Sequence, residues 1–310
     1  MKKITRNILI ISSGFMAAGI IFTGIGLASG GIPGLAITPH GVLSASDSPE
    51  PYRLEKTSID TFKETDININ SEADITLLPS DDENFYLEYS LDGDYGSPQW
   101  DVTNGKITLS QGSNSTGGFS VGNSQPFIRL YIPEGTRLSS LNIYNDYGDL
   151  DLDGITADTC TASLNYGDME MEDCIFDTVE IELESGDLDA AGSSVNDLTL
   201  TNYYGDSTLE DMTVVNGDFT IDSGDLLLDA DGLESMIGSN DYGDTTLILA
   251  DELDSYSFAL TTEFGEIALP QSAMGRLDSD YMEMHYTQQG KGNRSVAFTA
   301  ASGNITLKTD

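Results

Sequence analysis

The sequence predicts an all-β fold: a single-stranded parallel β-solenoid of the right-handed β-helix type, built from 19-residue coils and preceded by one N-terminal transmembrane helix. Three observations predict it. A glycine followed by an acid recurs every 19 residues, apolar and polar residues alternate on both sides of that glycine, and a long uncharged segment follows three basic residues near the N-terminus. Two short strands and two turns fill 19 residues, which leaves no room for a helix in the coil.

The N-terminal segment has the length of a membrane span. Lys2, Lys3 and Arg6 precede residues 8–29, an uncharged and largely apolar run that as a helix would cross a hydrocarbon core of about 30 Å. Because basic residues stay on the cytoplasmic side, the tail of residues 1–7 is expected inside the cell and the rest of the chain outside. A cleaved signal peptide is the alternative, since the run ends in small residues.

Residues 30–58 are predicted to be a linker, because Gly, Pro and Ser recur there without sustained periodicity.

The repeat defines the body of the protein. Its fixed period means that one supersecondary unit is stacked on copies of itself. In the last copy, Gly265 follows Gly243 after 22 residues instead of 19, and the acid after the glycine is Glu266 rather than Asp. The repeat-turn positions are Gly148-Asp149, Gly167-Asp168, Gly186-Asp187, Gly205-Asp206, Gly224-Asp225, Gly243-Asp244 and Gly265-Glu266.

Both halves of the coil read as strands. After the glycine, "LDL" at 150–152 and "MEM" at 169–171 place an acidic residue between two apolar ones, and before it Val179, Ile181 and Leu183 are separated by single polar residues. This period of two indicates strands with one buried face. Each strand would pair in parallel with its copy one coil away, about 4.8 Å along the axis.

The solenoid is expected to span residues 59–310 as one domain, most regular from 138 to 269. Outside the regular block, the strands alternate with longer and less regular turns. Between Arg137 and Arg276 there is no Lys, Arg or His, so every basic residue of the body lies toward its ends. Irregular, charged terminal coils are a known way to keep open sheet edges from aggregating.

Three stretches carry a resemblance to a known family: "ADITLLPSDDENFYLEY" from 73 to 89, "IRLYIPEGTRLSSLNIYNDYGDLDL" from 128 to 152, and "GKGNRSVAFTAASGNITL" from 290 to 307. Together with the glycine-acid coils, they resemble the "putative adhesin" family with repeated β-strand units, a domain of unknown function related to toastrack domains of envelope-stress proteins. The resemblance implies a bacterial, extracytoplasmic β-solenoid, and it implies no catalytic residues.

The repeated acids would form a column in the stack. Neighbouring charges about 4.8 Å apart repel by roughly 1 kcal/mol in water. In one interpretation each Asp is a turn fastener that accepts backbone N–H groups. In the other, cations bind between coils, and calcium is the one cofactor suggested because it takes several carboxylate and carbonyl oxygens. The candidate calcium ligands are Asp149, Asp168, Asp187, Asp206, Asp225 and Asp244.

Aromatic residues recur directly before the glycine, interrupted by Ser185, Ser223 and Ser302. They form either a packing column at a corner of the solenoid or an exposed strip for a glycan or protein partner. The aromatic column consists of Tyr147, Tyr166, Tyr204, Tyr242 and Phe264.

Cys160 and Cys174 align with apolar positions of other coils. They can be buried thiols, which act as small hydrophobic side chains, or one disulfide between neighbouring coils of an exported protein.

The charge of the chain limits the partners that it can bind. With 13 Lys and Arg against 52 Asp and Glu, the chain would be repelled by nucleic acid and by anionic lipid headgroups. No catalytic constellation is apparent, so we expect no enzyme. The chain is expected to be a membrane-anchored binding or adhesion module at the cell surface, with a cell-wall, glycan or protein ligand; the alternative is an envelope-stress sensor or accessory protein that acts through membrane partners.

Overall fold

The computed structural model describes residues 50–112, 125–280 and 282–309, together with the backbone of 35–38, 41–44 and 119–120. These residues are strands and turns, with one 3₁₀ turn at Leu253–Ser255 and no α-helix. The described part of the chain therefore contains no helix that could span a membrane. The predicted transmembrane helix, residues 8–29, lies outside the described residues.

The all-β prediction is confirmed. The strands are β1 (Leu35–Thr38), β2 (Gly41–Ser44), β3 (Tyr52–Ile59), β4 (Glu64–Glu72), β5 (Asp74–Ser80), β6 (Phe85–Leu91), β7 (Gln99–Thr103), β8 (Lys106–Gln111), β9 (Phe119–Ser120), β10 (Phe127–Pro133), β11 (Arg137–Tyr147), β12 (Leu150–Asp153), β13 (Thr156–Tyr166), β14 (Met169–Glu172), β15 (Ile175–Leu183), β16 (Leu188–Ala191), β17 (Ser194–Tyr204), β18 (Ser207–Ser223), β19 (Leu226–Asp231), β20 (Ser235–Tyr242), β21 (Thr245–Leu249), β22 (Tyr256–Phe264), β23 (Ile267–Ala268), β24 (Arg276–Asp280), β25 (Glu283–Gln288), β26 (Arg294–Ser302) and β27 (Ile305–Thr309).

The chain divides into two compact units. One comprises Met1–Glu50 and Asn114–Gln125, and the other comprises Pro51–Ser113 and Pro126–Asp310. In the first unit, β1 pairs antiparallel with β2 and with β9. The second unit holds all the other strands, including β3, which covers residues that the sequence suggests as linker.

The second unit is built from two parallel stacks of strands. Each coil places a longer strand in one stack and, after a corner, a shorter strand in the other. Residues one period apart pair across neighbouring coils, as in the series Leu141, Cys160, Val179 and Leu198. The repeat solenoid predicted from the sequence is thus confirmed.

The coils at both ends do not stack in chain order. Strands β4 and β5 lie between the β11–β12 coil and the outer strands β8 and β10, although β8 and β10 come later in the chain than β4 and β5. At the other end, β26 and β27 lie between the β20–β21 coil and the β22–β23 coil. At the C-terminal end the chain therefore forms its outermost coil, β22–β23, before the coil inside it. At the N-terminal end it forms the inner coil, β4–β5, before the outermost strands β8 and β10.

Antiparallel strands cover the ends of the stacks. At the N-terminal end β7 pairs with β8, and β6 joins β10 to β3. At the C-terminal end β25 pairs with β22 and β24. The single-stranded parallel arrangement predicted for the whole body therefore holds only for its middle. Antiparallel pairing at the ends shields the open edges that a parallel stack would expose.

The core is a continuous apolar column between the stacks. Leu150, Leu152, Met169 and Met171 are each at most 1% exposed, while Glu170 between the methionines points outward. Fully burying one such side chain contributes about 1.5–3 kcal/mol. Because each coil adds several of these side chains to its neighbours' core, the coils stabilise one another rather than folding singly.

Candidate binding surface at the glycine corner

The repeated glycines form the corner between the longer and the shorter strand of each coil. We call this the glycine corner; in spatial order its members are Gly148, Gly167, Gly186, Gly205, Gly224, Gly243, Gly303 and Gly265. At Gly205 the backbone φ is 147°, and a Cβ added there would lie 2.0 Å from the carbonyl oxygen of Gly186. Glycine is required because the backbone of the neighbouring coil occupies the space of a side chain.

The acid after each glycine ties its coil to the next one. The backbone N–H of Asp187 donates to Oδ1 of Asp168 at 2.8 Å, and that of Asp206 donates to Oδ1 of Asp187 at 2.8 Å. The same bond recurs along the corner, and we call the series the acid ladder. Its aspartates are Asp74, Asp149, Asp168, Asp187, Asp206, Asp225 and Asp244.

The ladder ends in two different residues. The backbone N–H and the side-chain Nδ2 of Asn304 both donate to Oδ1 of Asp244, at 2.8 and 3.0 Å. The backbone N–H of Glu266 then donates to Oδ1 of Asn304 at 2.9 Å. An uncharged amide therefore fills one step of the ladder with the same geometry, so the backbone bond needs an acceptor oxygen and not a charge.

In each carboxylate of the acid ladder, one oxygen accepts a hydrogen bond from the protein. Among the described residues, the second oxygen, Oδ2, of Asp168 and Asp187 makes no hydrogen bond to the protein. Within the described part of the chain, no group of three or more His, Cys, Asp or Glu side chains is arranged to hold a metal ion. The six candidate calcium ligands thus form a line of single carboxylates, not a cluster.

The aromatic residues before the glycines are exposed. Their exposed fractions run from 45% to 67%, and we call them the aromatic strip: Tyr147, Tyr166, Tyr204, Tyr242 and Phe264. The rings of Tyr147 and Tyr166 stack with centroids 5.3 Å apart and an interplanar angle of 7°. The column thus lies at the surface of the corner rather than in the core.

The order of the strip in space differs from its order in the chain. Ser223 pairs with both Tyr204 and Tyr242, and Ser302 lies between Tyr242 and Phe264 because β26 is placed inside the last coil. Beyond the stacked pair, one exposed ring therefore recurs at every second coil, with a serine between rings.

Buried asparagines support the corner from inside. Nδ2 of Asn202 donates to the carbonyl oxygens of Gly186 and Gly205, both at 3.2 Å, and Asn145 and Asn240 also bond glycine-corner carbonyls. Their buried Oδ1 atoms have no hydrogen-bond partner among the described residues. This support was not predicted from the sequence. The available signal was that an Asn stands three residues before the corner glycine in three copies of the repeat.

A second corner closes each coil after the shorter strand. It is formed by Gly154, Asp173, Gly192, Asp211 and Gly232, whose φ values run from 51° to 74°. These residues take the left-handed conformation that glycine, asparagine and aspartate tolerate. This corner was not predicted from the sequence either. Its signal is that Gly154, Asp173, Gly192 and Asp211 follow one another at intervals of 19 residues.

The two cysteines are buried free thiols. Cys174 Sγ lies 3.3 Å from the carbonyl oxygens of both Leu152 and Glu172, and burial raises the pKa of Cys174 to about 12. Burial also raises the pKa of Cys160. Both thiols therefore act as small hydrophobic side chains.

Basic side chains meet the acidic block at its ends. Arg137 bonds Asp158 at 2.5 Å and Asp177 at 2.7 Å, which places its guanidinium against two successive coils. Toward the other end Arg294 pairs with Asp251. The middle of the solenoid contributes no cation of its own, so its surface field is negative.

One protein-family model matches most of the chain. A family model described as Toastrack DUF4097 matches residues 64–308, which include both stacks and the whole glycine corner. A search of curated proteins finds no match to the chain.

One solved structure has a similar fold, and two others match with lower TM-scores. A putative adhesin from Parabacteroides distasonis has a TM-score of 0.52 at 10% identity, covering 83% of this chain and 97% of its own. A putative adhesin from Bacteroides fragilis has a TM-score of 0.41 at 12% identity, with coverage of 85% and 98%. A putative lipid binding protein from P. distasonis has a TM-score of 0.35 at 14% identity, with coverage of 84% and 97%.

Proposed function

Since this chain belongs to the Toastrack DUF4097 family, whose match spans the repeat solenoid, we propose that it is a non-catalytic binding module that adheres to a component of the cell envelope through the aromatic strip. The observation that carries the proposal is the alignment of five exposed rings along one corner. The name of one structural neighbour, a putative adhesin, agrees with a binding role.

Exposed rings in a line differ from ordinary surface hydrophobics. Single exposed apolar side chains are common on soluble proteins, whereas contiguous exposed apolar surface marks sites of interaction. Ser185, Ser223 and Ser302 occupy the same corner position in other coils, so the fold does not require an aromatic ring there. The rings at the remaining positions are therefore better explained by binding than by packing.

The charge of the solenoid limits the ligand. The acid ladder lies two residues after the aromatic strip along the whole corner, so an anionic polymer would be repelled as it approached the rings. A neutral or cationic ligand would not. The proposal therefore excludes nucleic acid and anionic lipid surfaces as ligands of the strip.

We further propose that residues 1–29 hold the module at the outer side of the cell membrane. The three basic residues before the apolar run support this orientation. Fractionation of cells that express the full chain should find it in the membrane, with the solenoid open to added protease. N-terminal sequencing that starts after residue 29 would instead establish a cleaved signal peptide.

A retention assay tests the binding role. The full chain, in a non-ionic detergent, is mixed with purified cell-wall fragments and sedimented, and the triple variant Tyr166→Ser, Tyr204→Ser and Tyr242→Ser is compared with it. Serine is the natural residue at this position in neighbouring coils, so the variant should fold. We expect retention to fall by at least tenfold, because aromatic contacts contribute about 0.5–1.5 kcal/mol each.

The matched control is Ile237→Ser, which removes an apolar side chain that is 52% exposed on strand β20, away from the strip. Retention of this variant should equal that of the original chain. Equal retention of the triple variant and the original chain, with both folded by circular dichroism, would refute the binding role of the strip.

A further inference from the structure

We propose that the ligand of the aromatic strip is an extended amino-sugar polymer that lies along the solenoid axis, with sugar faces on the rings and ammonium groups on the acid ladder. This inference rests on the proposed binding function and specifies its ligand class. Three features of the corner support it: the spacing of the rings, the free oxygens of the ladder and the charge of the solenoid.

The spacing of the rings fits a periodic linear ligand. Coils are about 4.8 Å apart, so rings at every second coil recur about every 9.6 Å. From Tyr204 through Tyr242 to Phe264 this interval repeats, with Ser223 and Ser302 between the rings. A polysaccharide offers a flat apolar face at regular intervals along a straight line, whereas a globular protein partner without internal repeats has no such period.

The ladder supplies the polar half of the site. Beside the strip, Oδ1 of each aspartate accepts a backbone N–H, as in the 2.8 Å bond from Asp206 to Asp187. The Oδ2 atoms of Asp168 and Asp187 have no protein partner among the described residues. Each coil from Asp149 to Asp244 therefore presents one charged acceptor two residues from the strip position, at the interval of the coil, and the next coil presents the amide of Asn304 instead.

Charge selects amino sugars over other glycans. The ladder aspartates repel one another along the corner, and a row of ammonium groups would relieve that repulsion on binding. Neutral sugars would gain only the ring contacts, and uronic or phosphorylated polymers would be repelled. Lys, Arg and His are absent between Arg137 and Arg276, so no side chain from this stretch competes with the ligand's ammonium groups for the ladder.

Calorimetric titration of the full chain, in a non-ionic detergent at low salt, tests the inference. The probes are the hexasaccharides of glucosamine, N-acetylglucosamine and glucose, the disaccharide of glucosamine, and poly-lysine. We expect the glucosamine hexasaccharide to bind at least tenfold more tightly than the other two hexasaccharides and than the disaccharide, and its affinity to fall with added salt.

Two variants separate the two halves of the site. Tyr204→Ser with Tyr242→Ser should weaken binding of both amino-sugar hexasaccharides, by about 2- to 10-fold for each ring. Asp187→Asn with Asp206→Asn should weaken only the glucosamine hexasaccharide, because Asn304 shows that an amide keeps the ladder bond.

The outcomes distinguish this inference from the proposed function. Strip-dependent retention on wall fragments without binding of the glucosamine hexasaccharide would overturn the inference and leave the binding function standing. Equal affinity for poly-lysine, unchanged by the tyrosine substitutions, would also overturn it, because the ladder would then be a general cation attractor. Binding of a protein from the wall fraction through the same tyrosines would replace the glycan with a protein partner.

Discussion

The two corners of each coil meet the same demand, a sharp change of chain direction, in different ways. At the glycine corner all eight positions from Gly148 to Gly303 and Gly265 are glycine, and the Cβ space is filled by a neighbouring coil. At the second corner Gly alternates with Asp, as in Gly192 and Asp211, on a left-handed backbone. There an added Cβ would meet a side chain, such as Asp173 Oδ1 at 2.6 Å from Gly192, and not a neighbouring carbonyl group.

The difference shows where coil-to-coil contact is closest. Glycine occupies all eight of these corners, where backbone meets backbone, whereas the β4–β5 coil at the end of the ladder has Ala73 at the matching position. At the second corner Asp can take the place of glycine. The glycine corner also carries the acid ladder and the aromatic strip. One edge of the solenoid therefore combines the tightest stacking with the surface that we propose to bind ligand.

Substitution of glycine should affect the two corners unequally. Gly205→Ala places a methyl group against the carbonyl of Gly186, and we expect the free energy of unfolding to fall by about 3 kcal/mol or more. Gly232→Asn should cost about 1 kcal/mol or less, because asparagine tolerates its φ of 74° and the nearest atom to an added Cβ is 3.8 Å away. Denaturant unfolding measures both, and equal losses would contradict the distinction between the corners.

Salt should stabilise the glycine corner through the acid ladder. Neighbouring aspartates about 4.8 Å apart repel, and raising sodium chloride from about 10 mM to 150 mM shortens the screening length from about 30 Å to 8 Å. Summed over the ladder, this screening should raise the free energy of unfolding by roughly 1–2 kcal/mol and the melting temperature by a few degrees.

Adding calcium to that experiment distinguishes screening of the ladder charges from specific binding of calcium between coils. If the ladder only repels, calcium chloride at the same ionic strength should raise the melting temperature no more than sodium chloride does. A larger, saturable shift at micromolar calcium would establish specific sites between coils in place of screening.

The ladder bond can be separated from the ladder charge. Asp187→Ala removes the acceptor for the N–H of Asp206 and should lower the free energy of unfolding by about 1 kcal/mol. Asp187→Asn keeps an acceptor oxygen and removes one repulsive charge, so it should leave stability unchanged or raise it slightly. Thermal melts at low salt compare the two, and equal destabilisation by both variants would mean that charge, not the backbone bond, is what the ladder needs.

The smallest expected effect concerns Asp151 on strand β12. Burial, followed by repulsion from Glu170, Asp153 and Glu172, raises the pKa of its carboxyl group. The folded protein therefore holds this proton more tightly than the unfolded chain, and ionised Asp151 destabilises the fold above its folded pKa. Asp151→Asn should raise the melting temperature slightly at pH 7. The gain should disappear below about pH 4, where the carboxyl is neutral in both states; a gain that persists at pH 3 would contradict this cause.

Much of the middle of the molecule could be predicted from the sequence. The 19-residue spacing of Gly148 to Gly243 reflects a contact that each coil repeats with its neighbour, and period-two alternation reports which side chains enter the core. Both signals are local, so they are visible in the chain without knowledge of the fold.

The ends could not be predicted in the same way. The sequence places Gly303 after Gly265, whereas in space it lies between Gly243 and Gly265. Every coil offers similar strands and the same corner, so local pattern does not encode which coil a strand joins. The alternation of rings and serines in the strip becomes regular only after this exchange of order. The sequence left the exposure of the strip open for another reason: the repeat does not show on which face of the corner the rings lie.

Hydrogen-deuterium exchange of the full chain with and without soluble cell-wall fragments tests the central claim most directly. The glycine corner is predicted to be the ligand surface, so the fragments should slow exchange at the ladder amides of Asp168, Asp187, Asp206 and Asp244. Exchange at the second corner, represented by Asp173, should not change. Slowing at the second corner, or no slowing at either corner, would contradict the account.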